Sequence, residues 1–226
     1  MIHSKQAHLF FQSIKERGVP GTILVLFSYV VDFLFDLKYG TDTFSSVEVA
    51  DLGVVNASTE HAEQYQLTHT LPLRKVLTAL KIPPGRILVD LGCGKGKVLL
   101  TASEFGFKEA RGIEFSPLLC DIARRNCSTY KNRTNTRTDF GIINSDVLDY
   151  GMKDDEDVFF LFNPFDGYIL EQVLKNISDS LLRRKRKIWI IYNNAVHREL
   201  FDRWIKPTSI LNFTFWGDEY AVFEAG

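Results

Sequence analysis

The feature that most constrains the fold is a glycine-rich stretch in the middle of the chain. Residues 89–97 read VDLGCGKGK, and they follow residues 86–91, an apolar run with the pattern of a short buried strand. Glycines at the alternate positions 92, 94 and 96 permit backbone conformations and a close ligand approach that a Cβ would block. A helix pattern follows, and the free N–H groups at a helix N-terminus bind polar ligand groups. The stretch therefore predicts a strand–turn–helix unit that holds a ligand.

The glycine spacing excludes two common nucleotide-binding loops. A phosphate-binding P-loop requires GxxxxGK[ST], and Lys97 stands where its second glycine would fall. A dinucleotide fingerprint requires GxGxxG, and Lys97 again occupies a glycine position. The pattern present is D-x-G-x-G-x-G, which begins at Asp90. An NAD-dependent oxidoreductase is therefore disfavoured.

Strand and helix patterns alternate through the rest of the chain. Apolar runs typical of strands lie at residues 86–91, 110–115, 140–144, 157–162 and 188–192, and helical patterns separate them. Two further runs, 210–216 and 220–223, flank Gly217-Asp218-Glu219, a hairpin signal. Strands joined by helices pair in parallel, with helices on both faces. We predict an α/β fold: a Rossmann-like, doubly wound, mostly parallel seven-stranded sheet with a C-terminal antiparallel hairpin.

The glycine-rich pattern, an acidic residue ending the second strand and the closing hairpin together resemble the class I S-adenosylmethionine-dependent methyltransferases. The resemblance implies S-adenosylmethionine as cofactor. It places Asp90 near the methionyl ammonium, for which a carboxylate is a charge-assisted acceptor, and Glu114 on the ribose hydroxyls. It places Asp146 and the Val147 N–H on the adenine, although a loop aspartate can instead cap a turn. The predicted cofactor-binding residues are Tyr65, Thr68, Asp90, Gly92, Cys93, Gly94, Gly96, Glu114, Phe115, Asp146, Val147 and Asn163.

The fourth strand pattern ends in Asn163-Pro164-Phe165, at the strand edge where open α/β sheets bind ligands. This run resembles the [ND]-P-P-[YF] motif of methyltransferases that act on amino or amide nitrogens. The resemblance implies that all three residues are catalytic, with the Asn163 oxygen and a proline carbonyl accepting from the target nitrogen. This chain has one proline rather than two. A strand-to-helix turn with a buried Phe is the structural alternative.

The general base is less defined, because the candidates Asp166, His69 and Tyr192 are scattered along the chain. An oxygen nucleophile requires a base more than a neutral amine does. The leading interpretation is therefore methylation of an amine or amide nitrogen on a protein or small molecule. The alternatives are an O-methyltransferase that acts on a sugar or other biosynthetic hydroxyl, and a non-catalytic partner protein that keeps the fold.

Two short segments precede the glycine-rich loop. The order of residues 64–68, a helix and the loop resembles the seven-strand lysine methyltransferases of the histone-lysine, non-SET type. In that family a Tyr-x-x-Thr-like loop folds over the methionine end of the cofactor. The resemblance implies that Tyr65 and Thr68 contact the cofactor and that residues 39–43 form a lid. The alternative is that these residues make turns and a helix cap.

Residues 1–55 are predicted to form an apolar, helical N-terminal extension, and residues 56–226 the methyltransferase domain. Residues 23–37 are the one membrane-like stretch, and as a helix they would reach roughly 22 Å, short of the bilayer core of about 30 Å. We expect a helix buried against the domain, with an interfacial membrane or partner helix as the alternative.

Charge and cysteine content limit the remaining functions. The net charge of −1 disfavours a nucleic-acid-binding domain, which usually carries a basic excess. Three cysteines without a CxxC pair indicate a reducing, cytoplasmic environment. The five histidines show no metal-ligand spacing, so no metal site is expected.

Overall fold

The computed structural model describes residues 2–45, 67–162, 166–215 and 218–226. For residues 2–13, 16 and 17 it describes the backbone alone. In these residues seven strands form one sheet in the order β3-β2-β1-β4-β5-β7-β6. The strands are β1 (Ile87–Leu91), β2 (Glu109–Glu114), β3 (Asp139–Asn144), β4 (Val158–Phe162), β5 (Ile188–Asn193), β6 (Ser209–Phe215) and β7 (Asp218–Ala225). The first five strands are parallel, and β7 runs antiparallel to β5 and β6.

This topology confirms the predicted doubly wound sheet and its antiparallel hairpin. The chain builds β1, β2 and β3 outward to one edge and then returns to place β4 on the other side of β1. Such a reversal of strand order opens a crevice at the carboxyl ends of the strands. The crevice here lies between β1 and β4, directly beyond the glycine-rich loop.

Five helices follow α1 in the chain: α2 (Thr70–Leu80), α3 (Lys97–Ala102), α4 (Pro117–Thr134), α5 (Gly167–Arg183) and α6 (Leu200–Trp204). Ser116 caps α4 by accepting from the Leu119 N–H, with a proline at the first turn as predicted. Helix α6 is shorter than the predicted 196–205, because its first residues form turns in which His197 O accepts from Leu200 N at 3.4 Å.

Side-chain alternation assigns each strand residue to one of two cores. Leu88 and Phe160 lie in the core beneath α2, α3 and α4, whereas Val89 and Phe159 lie in the core beneath α5 and α6. Because successive strand residues point to opposite faces, Asp90 shares the face of α2 and α3. Asn193 and Tyr220, which pair across β5 and β7, share that face too.

Helix α1 (Ile2–Tyr39) confirms that the predicted N-terminal extension is helical, and residues 46–55 of that extension lie outside the described residues. It kinks at Gly18, whose φ of 69° leaves the helical region, two residues before Pro20. The expectation that residues 23–37 are buried against the domain is wrong. Ten large apolar side chains on the described part of α1 are exposed, because few of its apolar residues, Phe35 among them, face the domain: Val19, Ile23, Leu24, Leu26, Phe27, Tyr29, Val30, Phe33, Leu34 and Leu37.

The helix predicted between residues 64–68 and the glycine-rich loop is confirmed as α2. Residues 67–69 are extended, and α2 begins at Thr70 after His69, whose ψ of 129° lies outside the helical region. The proposed domain boundary between residues 55 and 56 lies outside the described residues, so it stays a prediction.

Candidate functional site

The glycine-rich loop forms a tight turn between β1 and α3. Gly92, Gly94 and Gly96 have φ values of 85°, 51° and 86°, in the left-handed region that favours glycine. The Gly92 and Cys93 amides both donate to Ile113 O, at 2.9 and 3.0 Å. These bonds fix the loop against β2 and leave its outer backbone facing the crevice.

Cys93 closes the inner side of the same loop. Its thiol packs so closely over Gly112 that a Cβ there would overlap the sulfur. Burial raises the pKa of the Cys93 thiol well above its usual range, so the group is a packing residue and not a nucleophile. Its predicted contact with a cofactor therefore rests on its backbone in the loop.

Glu114 ties the second strand to the loop. Its carboxylate accepts from the Gly94 N–H at 3.0 Å and from the Ser116 N–H at 2.9 Å, one on each oxygen. Burial raises the pKa of Glu114, and these backbone donors partly oppose that rise. Each oxygen keeps a second lone pair, so the side chain can still accept from ribose hydroxyls.

Asp90 provides the clearest fit to a cationic ligand. It is 3% exposed, and burial, then the nearby Glu114 carboxylate, raise its pKa well above the usual range. Two buried acids at one loop are costly to ionise unless a positive charge joins them. The ammonium and sulfonium of S-adenosylmethionine supply such charge, and the residues present therefore fit this cofactor.

The carboxyl end of β3 completes this half of the crevice. Asn144 was not predicted, yet its amide donates to Glu114 O and Phe115 O at 3.0 and 2.9 Å. Asp146 caps the following turn by accepting from the Leu148 N–H at 2.9 Å, while Val147 is buried. The turn cap that we gave as the alternative for Asp146 is thus formed, and its contact with adenine stays a prediction.

Several predicted residues on the acceptor side lie outside the described residues: Tyr65, Asn163, Pro164 and Phe165. Among the described residues, Phe162 ends β4, and Asp166 caps α5 by accepting from the Ile169 N–H at 3.0 Å. The roles given to Tyr65, Asn163, Pro164 and Phe165 stay predictions.

Two buried polar groups on this side were missed by sequence reasoning. Asn193 and Tyr220 are cross-strand partners, 1% and 2% exposed. Among the described residues neither the Asn193 Nδ2 nor the Tyr220 hydroxyl has a hydrogen-bond partner. Unsatisfied buried donors are costly and rare, so a pair of them beside the crevice indicates a place where a ligand group binds. Only the strand register brings these two residues together.

The three candidate bases differ in their surroundings. Asp166 is used as a helix cap, and Tyr192 packs on the opposite face of the sheet against Phe201. His69 alone lies on the face of α2, where its Nδ1 is 2.7 Å from the Asp32 carboxylate. Asp32 is fully buried and also accepts from the Thr70 N–H and hydroxyl at 3.1 and 2.5 Å. Thr68, just before this pair, is buried as well.

The N-terminal segment is attached to the loop through two lysines that the sequence did not single out. Lys95 donates to the Asp42 carboxylate at 3.2 Å and to the Ser45 hydroxyl. The Lys97 ammonium lies 3.7 Å from both Asp32 and Asp36, and 4.3 Å from the centre of the Phe35 ring. These contacts hold the segment that we predicted as a lid, residues 39–43, against the loop.

The part of the chain that the structure describes contains no group of three or more residues able to hold a metal ion.

Comparisons with known proteins agree with this geometry. Residues 61–154 match the family model described as "Histone methylation protein DOT1". A mouse adenine nucleotide translocase lysine N-methyltransferase is 40% identical over 52 residues, which are 23% of this chain and 22% of that protein. The chain therefore spans about a fifth of that curated relative.

Solved structures show the fold independently. A B. subtilis M1A22 tRNA methyltransferase superposes with a TM-score of 0.54 at 17% identity, over 71% of this chain and 67% of that chain. The methyltransferase domain of a bacterial Hen1 protein superposes with a TM-score of 0.53 at 17% identity, over 70% of this chain and 98% of that one. The predicted class I methyltransferase fold is confirmed.

Proposed function

We propose that this chain is a class I S-adenosylmethionine-dependent methyltransferase and that it transfers a methyl group from that cofactor to an amine or amide nitrogen. The observation that carries the proposal is the buried acid pair, Asp90 and Glu114, on the glycine-rich loop. Burial raises the pKa of both groups, so a cationic ligand that binds beside them stabilises their ionised forms. The ammonium and sulfonium of S-adenosylmethionine meet that requirement with two positive charges, whereas NAD has no ammonium and carries its one cationic group on the nicotinamide ring.

The chain's own residues position the reactants rather than react with them. The bound cofactor supplies an electrophilic methyl group with a neutral thioether as leaving group. Asp90 and Glu114 hold the cofactor from the β1–β2 side, and Asn193 and Tyr220 line the acceptor side. Alignment of two bound reactants can contribute about 7–11 kcal/mol to such a displacement.

Nitrogen is favoured as the acceptor by two further observations. In the sequence, Asn163-Pro164-Phe165 resembles a motif of nitrogen methyltransferases, and a side-chain amide oxygen can accept from an N–H. The curated relative with 40% identity over its short match carries the name of a lysine N-methyltransferase. A lysine acceptor must first lose its proton, which an apolar, buried site promotes. We propose that the acceptor nitrogen belongs to a protein or to a small molecule.

The test is methyl transfer from tritiated S-adenosylmethionine into an extract of cells that lack this gene. Acid hydrolysis of the labelled protein, followed by amino-acid chromatography, separates methylated lysine from other products. We expect label in an N-methylated amino acid, or in a small amine in the soluble fraction. The Asn163→Ala variant should bind S-adenosylhomocysteine like the wild type and lose most of the transfer. Wild-type turnover in that variant would contradict the role given to the β4 segment.

An O-methyltransferase is the second candidate, and the His69–Asp32 pair favours it. A buried carboxylate on Nδ1 fixes the ring and leaves Nε2 as the nitrogen able to take a proton from a hydroxyl. The label would then appear in methylated sugars or other hydroxyl products, and His69→Gln would abolish it. Transfer to nitrogen that survives His69→Gln would contradict this alternative. A non-catalytic partner protein would give cofactor binding without any transfer.

A further inference from the structure

We propose that residues 18–39 of helix α1 are a membrane anchor that lies in the plane of a lipid bilayer surface, with the domain docked on its other side. This inference does not depend on the reaction that the domain performs. It begins from the exposure pattern of α1, in which Asp32, Phe35 and Asp36 face the protein and a long row of apolar side chains faces solvent.

The side of the helix that faces the domain is held by polar contacts. Asp32 pairs with His69 and Thr70, and Asp36 accepts from the Thr41 hydroxyl at 2.6 Å and from the Phe44 N–H at 2.7 Å. Both carboxylates also lie 3.7 Å from the buried Lys97 ammonium. The acids in this apolar helix therefore belong to its protein side and do not oppose lipid contact on the other side.

The opposite side is apolar and exposed over its whole length. Positions 19, 23, 26, 30, 33 and 37 repeat at intervals of three and four residues, which places them in one row along the helix. Leu24, Phe27 and Leu34 widen the row to more than half of the circumference at 3.6 residues per turn. A soluble protein rarely leaves so long an apolar surface in water.

The length of the apolar face of α1 and the lysines at its ends favour a lipid bilayer as the surface that covers it. Residues 18–39 form one uninterrupted stretch of 22 residues that is apolar enough to cross a membrane, and 22% of its apolar window is buried. No charged residue occurs from 18 to 31, and the exposed lysines Lys15 and Lys38 lie just beyond the two ends of the apolar face. Lysines at the ends of an apolar face interact with lipid headgroups. A partner helix would cover only a narrower stripe.

The contacts between α1 and the domain also determine how the helix axis is oriented relative to the membrane. Asp32, Phe35 and Asp36 contact the domain over the same turns on which Phe33, Leu34 and Leu37 are exposed. Lipid cannot surround the helix at those turns without displacing the domain. The helix axis must therefore run along the membrane surface, with its apolar side in the headgroup and acyl boundary.

The test uses an environment-sensitive nitrobenzoxadiazole label on single introduced cysteines. Ile23→Cys, Val30→Cys and Leu37→Cys sample both ends and the middle of the apolar face. Leu182→Cys on α5, where the side chain is 80% exposed, is the matched control. The native cysteines are buried, and burial raises the pKa of Cys120 to about 11 and of Cys127 to about 12. Maleimide labelling near neutral pH is thus directed to the introduced thiol.

We expect vesicles of phosphatidylcholine and phosphatidylglycerol to give a blue shift and a several-fold rise in emission at all three helix positions, and no change at Leu182. Quenching by brominated lipids should place the three labels at the same depth. No shift on vesicle addition, or an equal shift at Leu182, would overturn the proposal. A label at position 30 deeper than those at 23 and 37 would indicate a spanning helix and overturn the in-plane orientation. A shift that depends on protein concentration without vesicles would indicate a second copy of the chain instead.

Discussion

At the scale of single residues, the account depends on carboxylates that are buried before any ligand binds. Asp90 and Glu114 lie at the ends of β1 and β2, and both have a raised pKa because burial disfavours their charged forms. Because the folded-state pKa of each acid is raised, the folded protein loses stability as the pH rises from the unfolded-state pKa to the folded-state pKa. A bound cation reverses this effect, because it favours ionisation.

Asp90→Asn removes the charge and keeps the shape. We expect this variant to bind S-adenosylhomocysteine at least about tenfold more weakly, a loss of about 1.4 kcal/mol, because the ligand ammonium loses a charged acceptor. The ligand-free variant should have a higher melting temperature than the wild type at neutral pH. Calorimetry and thermal unfolding measure the two effects.

The pH dependence of the stability difference between the wild type and Asp90→Asn tests the raised pKa of Asp90. As the pH falls through the raised folded pKa of Asp90, the wild type becomes neutral at this position, so its stability should approach that of Asp90→Asn. Asp139→Asn, a fully exposed aspartate, is the matched control and should leave ligand affinity unchanged. A stability difference that widens on acidification would contradict the raised pKa.

Tyr220→Phe tests the acceptor side. The Tyr220 hydroxyl is buried without a described partner, so its removal should leave the free energy of unfolding equal or slightly higher. Cofactor affinity should be unchanged, while methyl transfer falls because the acceptor loses a hydrogen-bonding group. Urea unfolding, calorimetry and a transfer assay separate these three effects. Loss of stability together with unchanged transfer would show that the hydroxyl has a structural role.

At the scale of elements, charged side chains join α1 to the glycine-rich loop, and we expect them to contribute unequally to the free energy of unfolding. Asp32→Ala leaves Thr70 and His69 without their acceptor and removes one of the two carboxylates that lie 3.7 Å from the Lys97 ammonium, so we expect it to reduce the free energy of unfolding by roughly 3–5 kcal/mol. Lys97→Met should cost less, because both acids keep their hydrogen-bond donors. Urea unfolding of the two variants compares them directly, and equal losses would contradict this assignment.

The sequence predicted an element accurately where the pattern that forms it is local in the chain. Buried strands such as β4 and β5 are continuous apolar runs, and their bounds were predicted within a residue or two. Helix α6 was overestimated because the residues after Asn193 keep a helical composition while they form turns. The exposure of α1 could not be predicted, since apolar periodicity does not say which side a protein covers.

The same difference between local and non-local signals decided which site residues could be predicted. Asp90, the three glycines and Glu114 were predictable because one local pattern contains or follows from them. Asn193 and Tyr220 were not, because they are brought together by antiparallel pairing between distant strands. Lys97 was noted only as a departure from glycine patterns, and its role at the junction with α1 required the tertiary structure.

At the scale of the whole molecule, α1 and the acceptor-side residues share one face of the sheet. Tyr220 is close enough to Asp32 for that carboxylate to contribute to its raised pKa, after burial itself and Asp218. Anchoring through α1 would therefore hold the acceptor side of the crevice near the bilayer surface. A cytoplasmic location of the domain stays a prediction that is compatible with such an anchor.

Two truncations separate the parts of the N-terminal region. Removal of residues 1–17 should leave the melting temperature and ligand affinity unchanged, because the described contacts with the loop begin beyond the Gly18 kink. Removal of residues 1–45 deletes Asp32, Phe35 and Asp42 from the core and the loop, and should lower the melting temperature by many degrees. Thermal unfolding of both variants measures this. Equal melting temperatures would show that α1 does not stabilise the domain.

The most direct test of the central claim is calorimetric titration of the purified full chain with S-adenosylhomocysteine, with NAD as the matched control. The account predicts micromolar binding of S-adenosylhomocysteine and none of NAD, because the glycine loop and its two buried acids suit an ammonium-bearing nucleoside. Binding of NAD, or of neither compound by a folded protein, would contradict the assignment of the crevice between β1 and β4 as the cofactor site.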